Sequence, residues 1–537
     1  MIPIRFAPRA SPTTGGLRVL RAPRRVGGPL PKRKLVETLA SSNLLLFVVS
    51  HMVWIAIAVV LAAHLILAQD EHSFVVRALT AVPALVLLLE ARAFLRDEAG
   101  EVPFMVMGLA QYYMVFGFGV FFDVKFYDLG GPVRFTPDAR LAGATAVAVG
   151  AVAMAVGGRL GRRVGRDVHP TLVRALPPST VPARWDTAFY VYAAATTFVT
   201  FLMIFVPDII PPALALPMLF AFSFELTMGF AMVVPPRGLG ERAAQILLGI
   251  GLLNSMGRGQ LDYVFRTGMS YVTGRWAAVR RVSFRVIAVV ACLYLVVQPV
   301  KHTFRDQVWA PARSGANAGV SARVDAWESA FSVYFTDQPQ SRSEDDSSSA
   351  MTRLSELGAV MHVFEMVPGR IDYLGGSGFL PILYAPIPRF LWPDKPTTRD
   401  TVSRYGITFG RQTEEGATTT SINFPLLVEG YWNFGWPGVV IVCGAVGLWL
   451  GFSQKLFAGS HWALRAIGVA NITNVSVGSS AVLLYSVIFQ TLVGRLAVVW
   501  AIYWLAKLLS GRVQRSDIGP TQRFQRRAPR AAPSVMA

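Results

Sequence analysis

Charge is scarce in this sequence. Asp, Glu, Lys and Arg make up 15% of its 537 residues, where soluble domains carry roughly 25%. Hydrophobic residues reach 53%, and mean hydropathy is +0.45. That deficit excludes a string of soluble domains and indicates a polytopic membrane protein, a helix bundle solvated by lipid. Cysteine is nearly absent too. The two present, Cys292 and Cys443, both lie in apolar runs, so they offer no disulfide framework or metal-ligand spacing and read as small hydrophobes. There is no Walker A sequence, no GxGxxG opening a helix and no HExxH. Asp70 and Glu71 are adjacent, not spaced as a metal diad. Nucleotide-driven chemistry is therefore not expected, and neither is a cofactor or a divalent metal. No internal repeat is visible, whereas transporters tend to be built from paired halves.

Acidic residues are the scarcer of the charged kinds, and the net charge is +19. The cations cluster beside apolar runs, as the positive-inside rule requires, so no nucleic-acid partner is expected. Residues 1–40 are basic, with one acid, Glu37, and frequent Pro and Gly. They read as a disordered cytoplasmic N-terminus. The apolar run at 44–68 is too long for the core of a signal peptide and has no small-residue cleavage site. It reads as a first transmembrane helix.

About 20 apolar residues cross a bilayer. By that length further spans fall near 74–92, 102–122, 141–158, 187–206 and 212–235. The 69–73 and 207–212 connections lack Lys and Arg, while the 159–184 connection holds six arginines. This alternation puts the N-terminus in the cytoplasm. Short helices near 243–256 and 260–274 are flanked by cations at both outer ends. They read as a hairpin meeting at Gly257-Arg258-Gly259 near the outer face, or as a re-entrant loop of the same sidedness. A ninth span near 283–300 leads into a large periplasmic loop, 301–435, and spans near 436–454, 466–490 and 494–510 follow. The basic 511–537 tail is cytoplasmic. The expected fold is thus an all-α transmembrane bundle of about twelve spans: 41–300, then the loop 301–435, then 436–510. The low-complexity run at 337–350 reads as mobile. Residues 351–366 have helical apolar spacing, which predicts an amphipathic helix lying on the membrane or the bundle.

The chain is organised around 371–438, a polar, aromatic and cationic stretch between apolar runs. Arg389, Lys395, Arg399, Arg404 and Arg411 fall close together there, with Trp392 and Tyr405 among them. Arginine forks match phosphate oxygens, and aromatic faces stack on sugars or sit at the headgroup level. A lipid-linked diphospho-sugar offers all of these partners. Interfacial anchors facing anionic lipid are the plainer alternative.

Three blocks resemble one family. GSGFLPILYAPIPRFLWPDKP is similar to the G-x(n)-iPR-x-lWP-x-KP pattern of bacterial oligosaccharide repeat-unit polymerases, the Wzy-like O-antigen polymerases. LLVEGYWNFGWPG resembles their E-x-Y-x-NFG-x-x-G segment. SMGRGQ resembles the S-x-x-RG that ends an earlier span in these enzymes and in the related O-antigen ligases. The resemblance implies a metal-independent, GT-C-like membrane glycosyltransferase of the bacterial inner membrane. Its partners would be undecaprenyl-diphosphate-linked oligosaccharide donor and acceptor and membrane lipid, with chain-length regulator and flippase proteins beside it. Without a metal, cations must neutralise the leaving diphosphate. The matched cations are Arg258, Arg389 and Lys395; Arg404 and Arg411 join them by proximity in sequence. Trp392 and Tyr431 would stack on sugar. Glu429, in the matched block, is the first choice for the base, with an N-terminal helix carboxylate as its plainer role. Glu365 and His362 come next, although His362 lies outside the blocks and reads as a surface or interfacial residue. Glu225, an acid inside a predicted span, is a further candidate. A ligase acting on another acceptor and a lipid-linked oligosaccharide flippase are the alternative readings.

Overall fold

The computed structural model describes residues 52–69, 72–97, 101–122, 126–206, 209–210, 218, 221–259, 261–279, 282–298, 300–313, 319–336, 355–384, 387, 391–392, 394–396, 398–419, 424–472 and 494–510. The chain divides into two units, Met1–Met52 and Val53–Ala537. Among the described residues the second unit is all-α apart from one small hairpin, in which Phe126–Asp128 pairs antiparallel with Gly131–Val133. Hydropathy predicts twelve spans. Among the described residues five helices are long and apolar enough to cross a membrane: Phe74–Arg96, Phe104–Phe121, Pro137–Ala175, Trp185–Phe205 and Trp436–Leu456. Shorter apolar helices include Met52–Leu67, Phe224–Val233 and Phe284–Val297. This is a multi-pass membrane protein.

The centre of the bundle is the pairing of Pro137–Ala175 with Trp436–Leu456. Glycines allow it. A Cβ added to Gly447 would stand 1.9 Å from the Met154 carbonyl oxygen, and one on Gly161 would stand 2.0 Å from that of Leu448. Lipid supplies no hydrophobic drive between helices, so close backbone approach is the main source of attraction. The first helix has 39 residues, about 58 Å at 1.5 Å per residue, nearly twice the hydrocarbon thickness. The span expected at 141–158 is therefore only part of it. Much of the expected 159–184 connection is helix, and Arg159, Arg162, Arg163, Arg166 and Arg174 ride on it. Charge ends a hydropathy window without ending a helix, because Arg is a good helix former. Arg162 pairs with Glu90 on Phe74–Asp97. At the same end of the bundle Lys455 meets Glu101 at 2.8 Å, His169 Nδ1 lies 2.9 Å from the Leu456 carbonyl, and His461 Nε2 lies 2.9 Å from that of Pro177.

At 241–279 the expected short helices are longer: Glu241–Arg258 and Leu261–Val279. They are joined through Gly259, whose φ of 64° suits only glycine without strain. Arg275 reaches Glu241 at 3.4 Å, closing the far end of the pair.

The described residues of 301–435 are largely helical: Lys301–Arg313, Val320–Thr336, Leu357–Met366, Leu380–Tyr384, Thr398–Thr408, Glu414–Thr419 and Leu426–Phe434. The run at 337–350 lies outside the described residues. Of the two places expected for the amphipathic helix at 351–366, on the membrane or on the bundle, the structure shows the second: Leu357–Met366 is a core element, with every residue from 357 to 364 buried. It packs against Pro137–Ala175 on one side and Leu426–Phe434 on the other. Helical spacing identifies one apolar face; here Gly358, Ala359 and Val360 allow the other faces to be covered as well.

Candidate functional site

Leu426–Phe434 is a nine-residue helix that stops at Gly435, whose φ of 63° breaks it from the span that starts at Trp436. The 372–379 segment wraps its end. Trp432 Nε1 donates to the Asp372 carbonyl at 3.1 Å, and the Leu374 N–H donates to the Trp432 carbonyl at 2.9 Å. The Gly378 N–H donates to Asn433 Oδ1 at 2.9 Å, while Asn433 Nδ2 donates to the Glu429 carbonyl at 2.8 Å. Asn433 thus ties the block that begins at Gly376 to the block that contains Glu429.

Glu429 stands in the first turn of this short helix, not on the membrane span that follows, and is fully buried. The Tyr405 hydroxyl donates to its Oε1 at 2.8 Å. Burial, and then the Glu429 carboxylate, push the Tyr405 pKa far above its ordinary value, so Tyr405 stays a donor. Aromatic rings close the site: Tyr405 and Phe409 set their rings edge-on to Trp432 at 4.9 and 4.8 Å. Phe424 lies 5.2 Å from Phe409.

His362 is buried, which corrects its expected place at the surface. Its ring stacks on Phe126 of the hairpin at 4.1 Å, with Phe409 edge-on at 6.1 Å. Its buried Nδ1 has no hydrogen-bond partner among the described residues. Burial lowers the His362 pKa; Asp128, the Phe409 backbone and Glu365 oppose that, and Arg411 reinforces it. Glu365 Oε2 accepts from the Thr136 N–H at 3.0 Å, tying this helix to the start of Pro137–Ala175. Arg411 reaches Glu356 at 3.4 Å and lies over the Phe126 ring at 4.9 Å. Burial raises the Glu356 pKa against the pull of Arg411.

A family model described as "Domain of unknown function (DUF8712)" matches residues 193–501, more than half of the chain. The chain belongs to this family. No curated protein and no solved structure matches it. The DUF8712 region includes Glu429, Tyr405, His362 and Arg411. The Phe126 hairpin that covers His362 precedes it.

The described cations have different surroundings. Arg404 is exposed, next to Tyr405 on Thr398–Thr408. Lys395 Nζ donates to the Ile387 carbonyl at 2.7 Å and so closes its own turn. Arg389, and the side chain of Arg399, lie outside the described residues. Arg258 ends Glu241–Arg258 at a tip that two other arginines hold. Arg305 Nε donates to the Gly259 carbonyl at 2.9 Å, and Arg323 donates to those of Gly257 and Ile204 at 2.5 and 3.0 Å. Burial lowers the pKa of both. No motif marks Arg305 or Arg323, and only their positions beyond the apolar run at 283–300 hint at a role near the tip.

Trp392 is exposed, with its ring edge-on to Tyr384 at 5.7 Å. Tyr431 is buried and stacks on Phe364 at 3.7 Å, and its hydroxyl donates to the Val367 carbonyl at 3.3 Å. As placed, the Tyr431 ring is part of the packing rather than an open platform for a sugar. Glu225 begins Phe224–Val233, and Ser223 donates to its Oε2 at 2.6 Å. Arg495 and Arg266 are the cations that act on it, which gives this acid partners inside the bundle. Among the described residues no group of three or more His, Cys, Asp or Glu could hold a metal ion.

Proposed function

We propose that this DUF8712 protein is a membrane-embedded, metal-independent glycosyltransferase. It would polymerise undecaprenyl-diphosphate-linked oligosaccharide repeat units into a surface polysaccharide, such as O-antigen or exopolysaccharide. In this reading it is a GT-C-like bundle of about twelve spans in the bacterial inner membrane, with both termini cytoplasmic and residues 301–435 periplasmic. The observation that carries the reading is the junction at Asn433. Two separate blocks that resemble the polymerases are hydrogen-bonded to each other around Glu429. Sequence similarity in short blocks gains weight when the blocks share one site.

In this proposal the exposed Arg404 and the half-buried Arg411 neutralise the leaving diphosphate, together with Arg389 and Lys395. Arginine forks suit phosphate oxygens. Glu429 takes the proton of the attacking sugar hydroxyl. Because Glu429 is covered by Tyr405, acceptor binding must part Thr398–Thr408 from Leu426–Phe434 before the proton can transfer. The experiment is an analysis of lipid-linked glycan from a strain that lacks the protein. Accumulation of single repeat units supports the polymerase. Full-length chains left on the carrier would identify a ligase, and unchanged glycan would overturn both.

A further inference from the structure

Five large apolar side chains stand uncovered within 13 residues of the 301–435 region: Leu380, Leu383, Ile387, Leu391 and Trp392. Leu383 is 75% exposed and Leu391 68%. A water-facing loop rarely leaves such a cluster bare. Its neighbours place it. Phe379, just before Leu380, stacks on Phe434 with ring centroids 5.8 Å apart and planes at 14°. Phe434 stands two residues before Trp436, where the 21-residue apolar helix begins. One turn into that helix, Val440 and Ile441 point away from the protein, as side chains facing lipid do. The exposed cluster therefore lies at the level where a membrane helix enters the bilayer. Two exposed aromatics border the start of that helix: Trp436, its first residue, and Tyr373, whose hydroxyl would lie 3.4 Å from a Cβ at Gly435; such rings favour the headgroup zone.

We propose that Leu380, Leu383, Ile387, Leu391 and Trp392 form a wedge that inserts into the headgroup–acyl boundary of the bilayer beside the start of Trp436–Leu456. The occupant is membrane lipid, because the patch follows directly on Phe379, which stacks on Phe434 next to the start of a spanning helix whose Val440 and Ile441 are exposed. The turn is built for that position. Lys395 caps it by donating to the Ile387 carbonyl at 2.7 Å, leaving a cation at its edge. Trp392 braces edge-on against Tyr384. Apolar residues with a Trp and a Lys at the margin form the composition of an interfacial anchor. This role would also account for Trp392 without a sugar. The inference stands whether or not the protein is a polymerase.

The test is nitroxide accessibility in the full chain reconstituted into liposomes. Spin labels are placed singly at Leu383→Cys, Ile387→Cys and Leu391→Cys in a Cys292→Ser background, with Cys443 left in its buried site. Glu414→Cys, on an exposed residue of Glu414–Thr419, is the water-facing reference. Power saturation is measured with oxygen, which partitions into lipid, and with a polar nickel chelate, which does not. The expected result is an oxygen-to-chelate ratio several-fold higher at 383 and 391 than at 414. A ratio equal to that at 414 would overturn the wedge. Low access to both reagents would overturn it too, since that result means a second copy or another protein covers the patch. The three exposed sites carry little packing, so the labelled chains should fold, and agreement among them separates a local defect from a true depth.

Discussion

Replacing Tyr405 by Phe deletes one hydroxyl and leaves the aromatic packing of the site in place. That hydroxyl donates to the fully buried Glu429 at 2.8 Å. Hydrogen bonds to charged groups contribute about 1.5–3 kcal/mol, so Tyr405→Phe should lower unfolding stability by about that amount. Glu429→Leu strands the tyrosine hydroxyl and should cost about 1–3 kcal/mol. The double variant removes both partners, so its loss should fall short of the sum by about 1–3 kcal/mol. Glu429→Gln still accepts from Tyr405 and gives up only the charge assistance, about half of the bond. The assay is thermal or denaturant unfolding of the purified protein in one detergent. Strict additivity of the two single variants would refute the pairing. Activity then separates the roles. If Glu429 is the base, Glu429→Gln binds lipid-linked repeat units but loses roughly 100- to 10,000-fold in turnover, while Tyr405→Phe keeps turning over. Near-normal polymer from Glu429→Gln would leave Glu429 as a positioning residue and move the search to Glu365 and His362.

Gly447→Ala should destabilise the bundle by about 1–3 kcal/mol, because its Cβ would meet the Met154 carbonyl oxygen at 1.9 Å. Gly249→Ala, where nothing lies within 4 Å of the new Cβ, should be neutral or better, and a melting comparison checks the pair. The His362 pKa is lowered in the fold, so the unfolded chain binds the proton more readily. Its contribution is complete above the unfolded value of about 6.5 and is lost as pH falls below it towards the folded value. His362→Phe should flatten part of the stability loss seen on acidification below that point. Arg389→Ala should abolish polymer formation while the protein still reaches the membrane, and Arg389→Lys should also be poor, because a point charge does not replace a fork. Reporter fusions at Ser347 and at the C-terminus should report periplasm and cytoplasm respectively, and a cytoplasmic signal from Ser347 would overturn the proposed topology.

Apolar run length and cation placement suffice to recognise a multi-pass helical protein, since lipid permits few other backbones. Local signals were also legible. Gly257-Arg258-Gly259 marks the junction of the 241–279 pair, where Gly259 ends the first helix, whereas the separate helix that carries Glu429 before Gly435 shows only in the structure. The three polymerase-like blocks could be read in sequence, but the meeting of two of them, at Asn433, could not. Gly378 and Asn433 are 55 residues apart and touch because the 372–379 segment packs on the end of Leu426–Phe434. The burial of His362 depends on Phe126, a residue in a separate hairpin whose three-residue strands are too short to show a period. Arg323 caps carbonyls 66 and 119 residues away, a pairing that no local pattern encodes. Helical periodicity tells which residues share a face. Whether the opposite face meets lipid, water or another helix is decided by packing, and for Leu357–Met366 two neighbouring helices settle a choice between membrane and bundle that spacing alone leaves open.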